Sequence, residues 1–562
     1  MKPEADCSRP IEAEKASLQI ANLPFSEAPS QTKLFLEYQK NPLALRKYYP
    51  SAVENYAQLS RFIPEILKNY KTDRSELCDV LEDTNNANGA GAETFKNIEL
   101  LRESDCVAVV SGQQAGLFTG ALYTIYKALS AVKLAECLRA RGAKAVPVFW
   151  IATEDHDFAE ISQTEIVRST GELIKLKNKP RDYRENSSVG FVELDDTIER
   201  TITELFDNLP HTEFSAEAKK IVESSYSSGT NFGDAFARLL LRLASKYGLI
   251  VLNPLDARLK KLAAPIYVEA IEKSGEFVSA LLKRGDELES DGFHSQVLIT
   301  PDYFPLFWQA KDGTRNAIKK TDDERYKIKN VEREFTRGEL ARIAASEPQR
   351  FSPSVVLRAA VQDYLLPTVC YFGGAAEVAY FAQSAEVYRV LQRPATTVLH
   401  RQSFTIVERK HHKTLVKYDL RLEDLLSGGE KVLPRVVEKY LNNELARLFD
   451  EVEEKIGAQL DVLSGDLDEF DPTLAANLIK RRRKIIYQIE SLRGKFHRAQ
   501  ARKDETIARQ IETAINALAP HKNLQERSVN ILSFVNAYGL NFIDWIYAAI
   551  ELDDKEHRII YL

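Results

Sequence analysis

Two hydrophobic patterns alternate along roughly the first three-quarters of the chain, and a third takes over after them. Val107-Ala108-Val109-Val110 is an unbroken apolar run ending in Ser111-Gly112, and Val146 to Ala152 is another, ending near Glu154-Asp155-His156-Asp157. Apolar runs without alternation are those of strands buried on both faces. Between them, Leu122, Ile125, Leu129 and Val132 recur at three- and four-residue steps. That spacing predicts an amphipathic helix, entered at Thr119 after a loop carrying Gly112, Gly116 and Gly120. Leu249 to Asn253 is a third apolar strand, closing in Asn253-Pro254-Leu255-Asp256 before another helix. The alternation from about 101 to 255 predicts βαβ units and a parallel sheet. Residues 1–100 read as mostly helical, with a loop at Asn85 to Gly91. Residues 297–335 read as short strands separated by Asp302, Asp312-Gly313 and Asp322-Asp323, an antiparallel insertion. Phe351 to Gln383 returns to sheet and helix.

The tail differs. From Leu433 to Leu463, Val437, Leu441, Leu445, Leu448, Val452, Ile456, Leu460 and Leu463 keep a three/four spacing. Asp471-Pro472 supplies an N-cap and a proline at the first helical position. A second stripe follows through Leu478, Ile485, Ile489, Leu492, Phe496, Ala499, Ile511, Ile515 and Leu518, interrupted near Arg502-Lys503-Asp504. Two long amphipathic helices joined by a short acidic turn predict an antiparallel coiled-coil hairpin over 431–520, with 521–562 returning to the core. Paired apolar positions such as Leu445 with Leu448 and Ile485 with Ile486 widen the stripe beyond a two-helix seam, which predicts self-association. The run Lys480 to Lys484 reads as solvated charge at a helix start, with an anionic partner as the alternative.

Length and composition narrow the class. A chain of 562 residues is too long for one core. A net charge of -6 gives no global reason to expect nucleic acid. No apolar run approaches the roughly 18 residues of a membrane span. Cys7, Cys78, Cys106, Cys137 and Cys370 form neither a disulfide framework nor a metal-binding pair, and Cys106 and Cys137 read as core thiols. The expectation is a cytoplasmic chain without membrane or nucleic-acid partners.

The candidate chemistry lies where the strands end. A buried strand, a glycine-rich turn and a helix N-terminus converge unpaired N–H groups on an anion. Gly112, Gln113 and Gln114 precede that helix, and Thr119, Gly120, Tyr123 and Lys127 open it. Thr119, Tyr123 and Lys127 are spaced to share one face. Lys127 is expected on an exposed face toward an anionic ligand, where its loss costs within about 0.5 kcal/mol of stability. Glu154, Asp155, His156 and Asp157 crowd ionisable groups at the next strand end, where each shifts the others. They read as a proton-handling cluster, a metal site, or a capped turn. Arg358 and Gln362 are an i,i+4 pair, and Gly373-Gly374 with Glu377 reads as another strand–turn–helix or a plain turn. His400, His411 and His412 read as surface or structural.

SGQQAGLFTGALYTIYKALSAVKLAE, VPVFWIATEDHDFAEI, FSPSVVLRAAVQDYLLPTVCYFGGAAEVAYFAQ and LQERSVNILSFVNAYG resemble, in the same order and over essentially the full length, the BshC family of cysteine ligases in bacillithiol biosynthesis. The resemblance implies a nucleotidyltransferase-like Rossmann core with inserted connecting segments over 101–430, a coiled coil used in homodimerisation, and addition of cysteine to glucosaminyl malate. A free carboxylate is a poor acyl donor, so cysteine must be activated as an acyl adenylate or acyl phosphate before the amine attacks. ATP or ADP is the expected nucleotide, and no tightly bound metal is expected. Aminoacyl-tRNA synthetases of similar fold place a His-Ile-Gly-His signature where this chain has Thr119-Gly120-Ala121-Leu122, which leaves the activating donor open. Ser352 and Ser354, with Arg358 as the cation, stand in for the synthetases' second signature. Lys127 and Arg358 are the expected cations; Asp155, His156 and Asp157 manage the amine proton. The alternatives are a metal-assisted hydrolase or transferase at that acidic cluster, and a non-catalytic ligand-binding scaffold.

Overall fold

The computed structural model describes residues 18–322, 325–441, 443–503 and 505–562. Cys7, Asp323 and Asp504 lie outside them. The described residues form two compact units: 18–169, Leu173–Thr405 and Glu526–Ile559 make one; Thr170–Glu172, Ile406–Gln525 and Ile560–Leu562 make the other.

The first unit is built on five strands: β1 (Val107–Gln113), β2 (Ala145–Ile151), β3 (Ile250–Leu252), β4 (Thr368–Gly373) and β5 (Val398–His400). All pair in parallel, in the order β5-β4-β1-β2-β3. The chain runs outward from β1 through β2 to β3, then crosses to the other side of β1 for β4 and β5. That reversal opens a crevice beyond the carboxyl ends of β1 and β4, where open α/β sheets bind ligands. Helix α1 (Tyr123–Ala140) follows β1, α2 (Ala257–Glu272) follows β3, α3 (Val355–Leu365) precedes β4, and α4 (Ala375–Val390) follows it.

Helix α1 departs from expectation in two ways. It begins at Tyr123, not Thr119, because Phe118 and Thr119 hold φ values of 53° and 71° and Gly120 holds 69°, which breaks helical geometry. It is also buried nearly all round, Lys127 included, because it packs on β1, β2 and β4 and on further elements of the same unit. A periodic apolar stripe shows only the face that would be buried in a two-layer contact.

Around this sheet, the N-terminal segment supplies helices such as Arg74–Ala87, whose buried Asn85 donates to the Val251 carbonyl at 2.8 Å and accepts from its N–H at 3.0 Å. One amide side chain so satisfies the backbone of an edge strand. The insertion is an antiparallel sheet of Leu306–Gln309, Arg315–Lys320, Arg325–Ile328, Glu334–Thr336 and Phe351–Pro353. Its second strand carries Arg315 toward the acidic turn after β2.

The second unit holds α5 (Gly429–Leu441), α6 (Asn443–Phe470), α7 (Pro472–Lys503) and α8 (Glu505–Leu518). Helices α6 and α7 form an antiparallel hairpin, tied by Arg482 to Asp461 and by Arg493 to Asp450. Asp471 accepts from the Thr473 N–H at 2.8 Å at the start of α7. The unit begins at Ile406, earlier than the hydrophobic stripe, because the short helices Arg409–Tyr418 and Leu422–Leu426 pack against α8.

Candidate active site

The crevice between β1 and β4 deepens into a cavity of about 280 Å³. Gly112, Gln113, Gln114, Tyr123 and Lys127 form one wall; Arg358, Tyr371, Gly374, Glu377 and Tyr380 form another; Glu160, Arg401 and Arg527 complete it. Two glycines allow the approach. A Cβ at Gly112 would lie 2.6 Å from the Trp150 carbonyl oxygen, and one at Gly373 would lie 2.8 Å from the Glu377 Cβ. The N-terminal end of α4 borders the cavity through Gly374, Ala375 and Ala376, so its dipole favours negative charge there.

Lys127 is the buried centre of this wall. Its ammonium donates to the Gly112 carbonyl at 3.0 Å and to Gln113 Oε1 at 2.8 Å, and it pairs with Glu377. Burial pushes the Lys127 amine below its ordinary value, with Glu377 opposing. Burial also pushes the Glu377 carboxyl up, but the Lys127 ammonium and the Gly374 N–H outweigh it and hold it below the usual range. Glu377 further accepts from the Tyr371 hydroxyl at 2.6 Å. The expectation of an exposed Lys127 is therefore corrected: its side chain is 3% exposed, fixed between strand carbonyl and carboxylate.

Arg358 donates to Gln362 Oε1 at 3.1 Å and to the Tyr380 hydroxyl at 3.0 Å, which aims its guanidinium across the Tyr371 ring. Arg401 is clamped by both oxygens of buried Glu526, at 2.9 and 2.7 Å. Four cations and two carboxylates thus line one cavity, an excess of positive charge suited to an anionic ligand.

The acidic turn after β2 stands beside this cavity. Glu154 is buried in a pair with Lys260, which also donates to the Phe351 carbonyl at 2.7 Å. Asp155 accepts from Gln114 at 2.6 Å and from the His156 N–H at 2.7 Å, with Arg315 at 3.5 Å. Arg315 also donates to Ser352 Oγ at 2.9 Å and to the Pro353 carbonyl at 2.8 Å, and lies 3.4 Å from His156 Nδ1. Burial and the Arg315 charge lower the His156 imidazole below its ordinary value. A guanidinium thus holds the place between Asp155 and His156 that the metal reading needs, and no group of three metal-ligating side chains occurs among the described residues.

Of the sequence candidates, Gly112, Gln113, Gln114, Tyr123, Lys127, Arg358, Gly374 and Glu377 meet on the cavity wall. Glu154, Asp155, His156 and Ser352 gather around Lys260 and Arg315 instead. Asp157 is exposed and caps the short helix Phe158–Ile161 by accepting from the Glu160 N–H. Thr119 is buried, with its N–H 3.4 Å from the Tyr226 hydroxyl, and does not share a face with Lys127 because it precedes the helix. Gly120 is held by Asn530, Ser354 accepts from Tyr303 at 2.5 Å, Gln362 supports Arg358, and Gly373 ends β4.

Sequence reasoning missed Glu160, Lys260, Arg315, Arg401, Glu526, Arg527 and Asn530. Three of these sit in the LQERSVN segment: Glu526 fixes Arg401, Arg527 lines the cavity, and Asn530 donates to the Phe118 and Gly120 carbonyls at 2.9 and 2.7 Å. The available signal was a polar and charged cluster placed directly before the apolar run that begins at Ile531-Leu532.

A parallel sheet with a cationic cavity at its switch point, joined to a helical hairpin, defines an α/β enzyme class with a coiled-coil appendage. Residues 18–402 match the family model for the bacillithiol biosynthesis BshC N-terminal Rossmann-like domain, and residues 404–562 match that for its C-terminal coiled-coil domain. The chain is 35% identical to the "Putative cysteine ligase BshC" of Salinibacter ruber, over 94% of this chain and 96% of that one. It is 34% identical to the protein of the same description from Koribacter versatilis, over 96% and 99%, and 31% identical to that of a Geobacillus species, over 94% and 98%. The chain belongs to the BshC family.

Proposed function

We propose that this enzyme joins the carboxyl group of cysteine to the amine of glucosaminyl malate, the ligation that completes bacillithiol. The observation that carries the reading is the cavity at the β1/β4 switch point, with Lys127, Arg358, Arg401 and Arg527 on its wall beside the α4 N-terminus. Such a wall fits the malate carboxylates of the acceptor or the phosphate of an activated cysteine. Activation as a carboxylic–phosphoric anhydride, with ATP as the phosphate source, is the simplest route to the amide. Arginines near the leaving oxygen stabilise the charge that develops there. Arg315 beside Asp155 and His156 supports a mechanism without a tightly bound metal. The exposed apolar residues of α6 and α7 support a homodimer. Among the described residues no helix is long and apolar enough to cross a membrane, and the small polar substrates suit a cytoplasmic site.

The test is restoration of the thiol. In a host deprived of its own family member, this chain should return the cysteine adduct of glucosaminyl malate, read by mass spectrometry of the labelled thiol pool. Accumulation of unconsumed glucosaminyl malate despite expression of the folded protein would refute the reading.

A further inference from the structure

The ligation needs a group that takes a proton from the attacking amine, and two carboxylates line the cavity. Glu377 is committed: its oxygens take the Lys127 ammonium, the Gly374 N–H at 2.7 Å and the Tyr371 hydroxyl at 2.6 Å. Asp155 and His156 lie off the cavity wall and are engaged by Arg315, and Asp155 is also taken by Gln114. Asp157 is a cap. Glu160 differs from all of them. It is exposed on the cavity wall, across from Gln114, and forms no ion pair among the described residues. Gln114 links the acidic turn to the cavity: it donates to Asp155 at 2.6 Å and lines the same wall as Glu160.

We propose that Glu160 is the catalytic base of the ligation, which rests on the cysteine-ligase reading above. The amine nitrogen attacks the carbonyl carbon of the cysteinyl–phosphoric anhydride, and the C–N bond forms. An N–H proton passes to a Glu160 carboxylate oxygen. The C–O bond to phosphorus then breaks, the electron pair leaving with the phosphate oxygen toward the arginines.

The surroundings suit that task. Glu160 lies on the short helix that follows Asp155 and Asp157, faces Gln114, Tyr123 and Lys127 from the β1–α1 side, and shares the cavity with Arg358, Glu377, Arg401 and Arg527. Partial loss of water where the side chain meets the cavity, together with the two aspartates, pushes its carboxyl above the ordinary value of 4.5, against the pull of Gln114 and Lys127. A base is most effective with its pKa near the working pH. The rate should therefore fall with acid at a higher pH than a free glutamate would give.

The experiment compares full-length wild type with Glu160→Gln and Glu160→Asp. Thiol restoration is read in the deprived host. The purified proteins are assayed with cysteine, ATP and glucosaminyl malate across pH, with thermal unfolding alongside. Glu160→Gln should lower turnover by about 10²-fold or more, leave KM for the amino sugar and the unfolding midpoint little changed, and abolish the acidic limb. Glu160→Asp should retain intermediate turnover and the limb. A Glu160→Gln enzyme within a few-fold of wild type, or one that keeps the acidic limb, overturns the assignment while leaving the ligase reading intact. A wild type that restores no thiol overturns the ligase reading and this role with it.

Discussion

Lys127 is where the residue scale and the chemistry meet. An ammonium on a helix surface can be removed at little cost, but this one is buried against Glu377. Removing one partner of a buried pair leaves the other charge uncompensated, which costs about 3–5 kcal/mol. The partial exposure of Glu377, 19%, places the expected loss at the lower end. Lys127→Met should therefore lower both turnover and stability. Lys127→Met combined with Glu377→Gln should recover most of the stability and none of the turnover, read by chemical denaturation and product formation. A double variant with near-normal turnover would remove Lys127 from the site. The position of Lys127 four residues after Tyr123 was legible in the sequence. Its burial was not, because helical spacing reports one face and the packing of α1 on several sides is a tertiary fact.

A second residue sets a pH dependence away from the chemistry. Asp363 accepts from Tyr388, Thr396 and Gln362, and burial pushes its carboxyl up from the ordinary 3.8 to about 7. The folded chain then binds this proton more tightly than the unfolded chain. The fold is favoured below the ordinary value and loses that advantage as pH rises through about 7. The full swing is at most roughly 4 kcal/mol. Asp363→Asn should flatten the fall in stability between about pH 4 and 7; an unchanged slope in denaturation at several pH values would assign it elsewhere. Gln362 links Asp363 to Arg358, so the same variant should also alter Arg358 placement and reduce turnover modestly.

At the scale of elements, strand and helix types followed from the apolar runs, and the β1–α1 connection did not. Gly116 and Gly120 signalled a turn, but nothing local announces Phe118 and Thr119 in the left-handed region. A β-branched residue there is strained by roughly 1–3 kcal/mol and persists only where its surroundings fix it. The restraint comes from far along the chain. Asn530, fully buried, donates to the Phe118 and Gly120 carbonyls and to Thr164 Oγ1, while Val529 accepts from the Leu122 N–H at 2.9 Å. Asn530→Ala leaves buried carbonyls without donors, at about 1–3 kcal/mol for each group left unsatisfied. The expected result is faster amide exchange across Leu117 to Leu122, ahead of global unfolding, with weaker substrate binding. Uniformly slow exchange in that segment would show that the loop holds its shape unaided.

At the scale of the molecule, the two-part architecture could be read because each unit writes its own periodicity. The site could be read only in part, since Arg315, Arg401 and Arg527 reach it from segments separated by whole elements, and no local pattern records such a meeting. Leu445, Leu448, Val452 and Leu463 on α6 and Ile485 and Leu492 on α7 all belong to the apolar stripes read from the sequence, and all are exposed, as is Ile479 beside them. One helix pair cannot bury stripes this broad, and contiguous apolar surface on a soluble protein marks an association site. Beside the stripe, Arg482 pairs with Asp461 and Arg493 with Asp450, so these charges are matched within the hairpin itself. A second copy offers the same surface, and closed two-fold pairing is the commonest arrangement of soluble homo-oligomers. Wild type should scatter light as a dimer at micromolar concentration. Leu448→Glu with Leu492→Glu places like charges on that face at exposed positions, so the fold should survive while the dimer dissociates. A monomeric wild type, or a doubly substituted chain that stays dimeric with its helical content intact, would rule out the hairpin as the dimer contact.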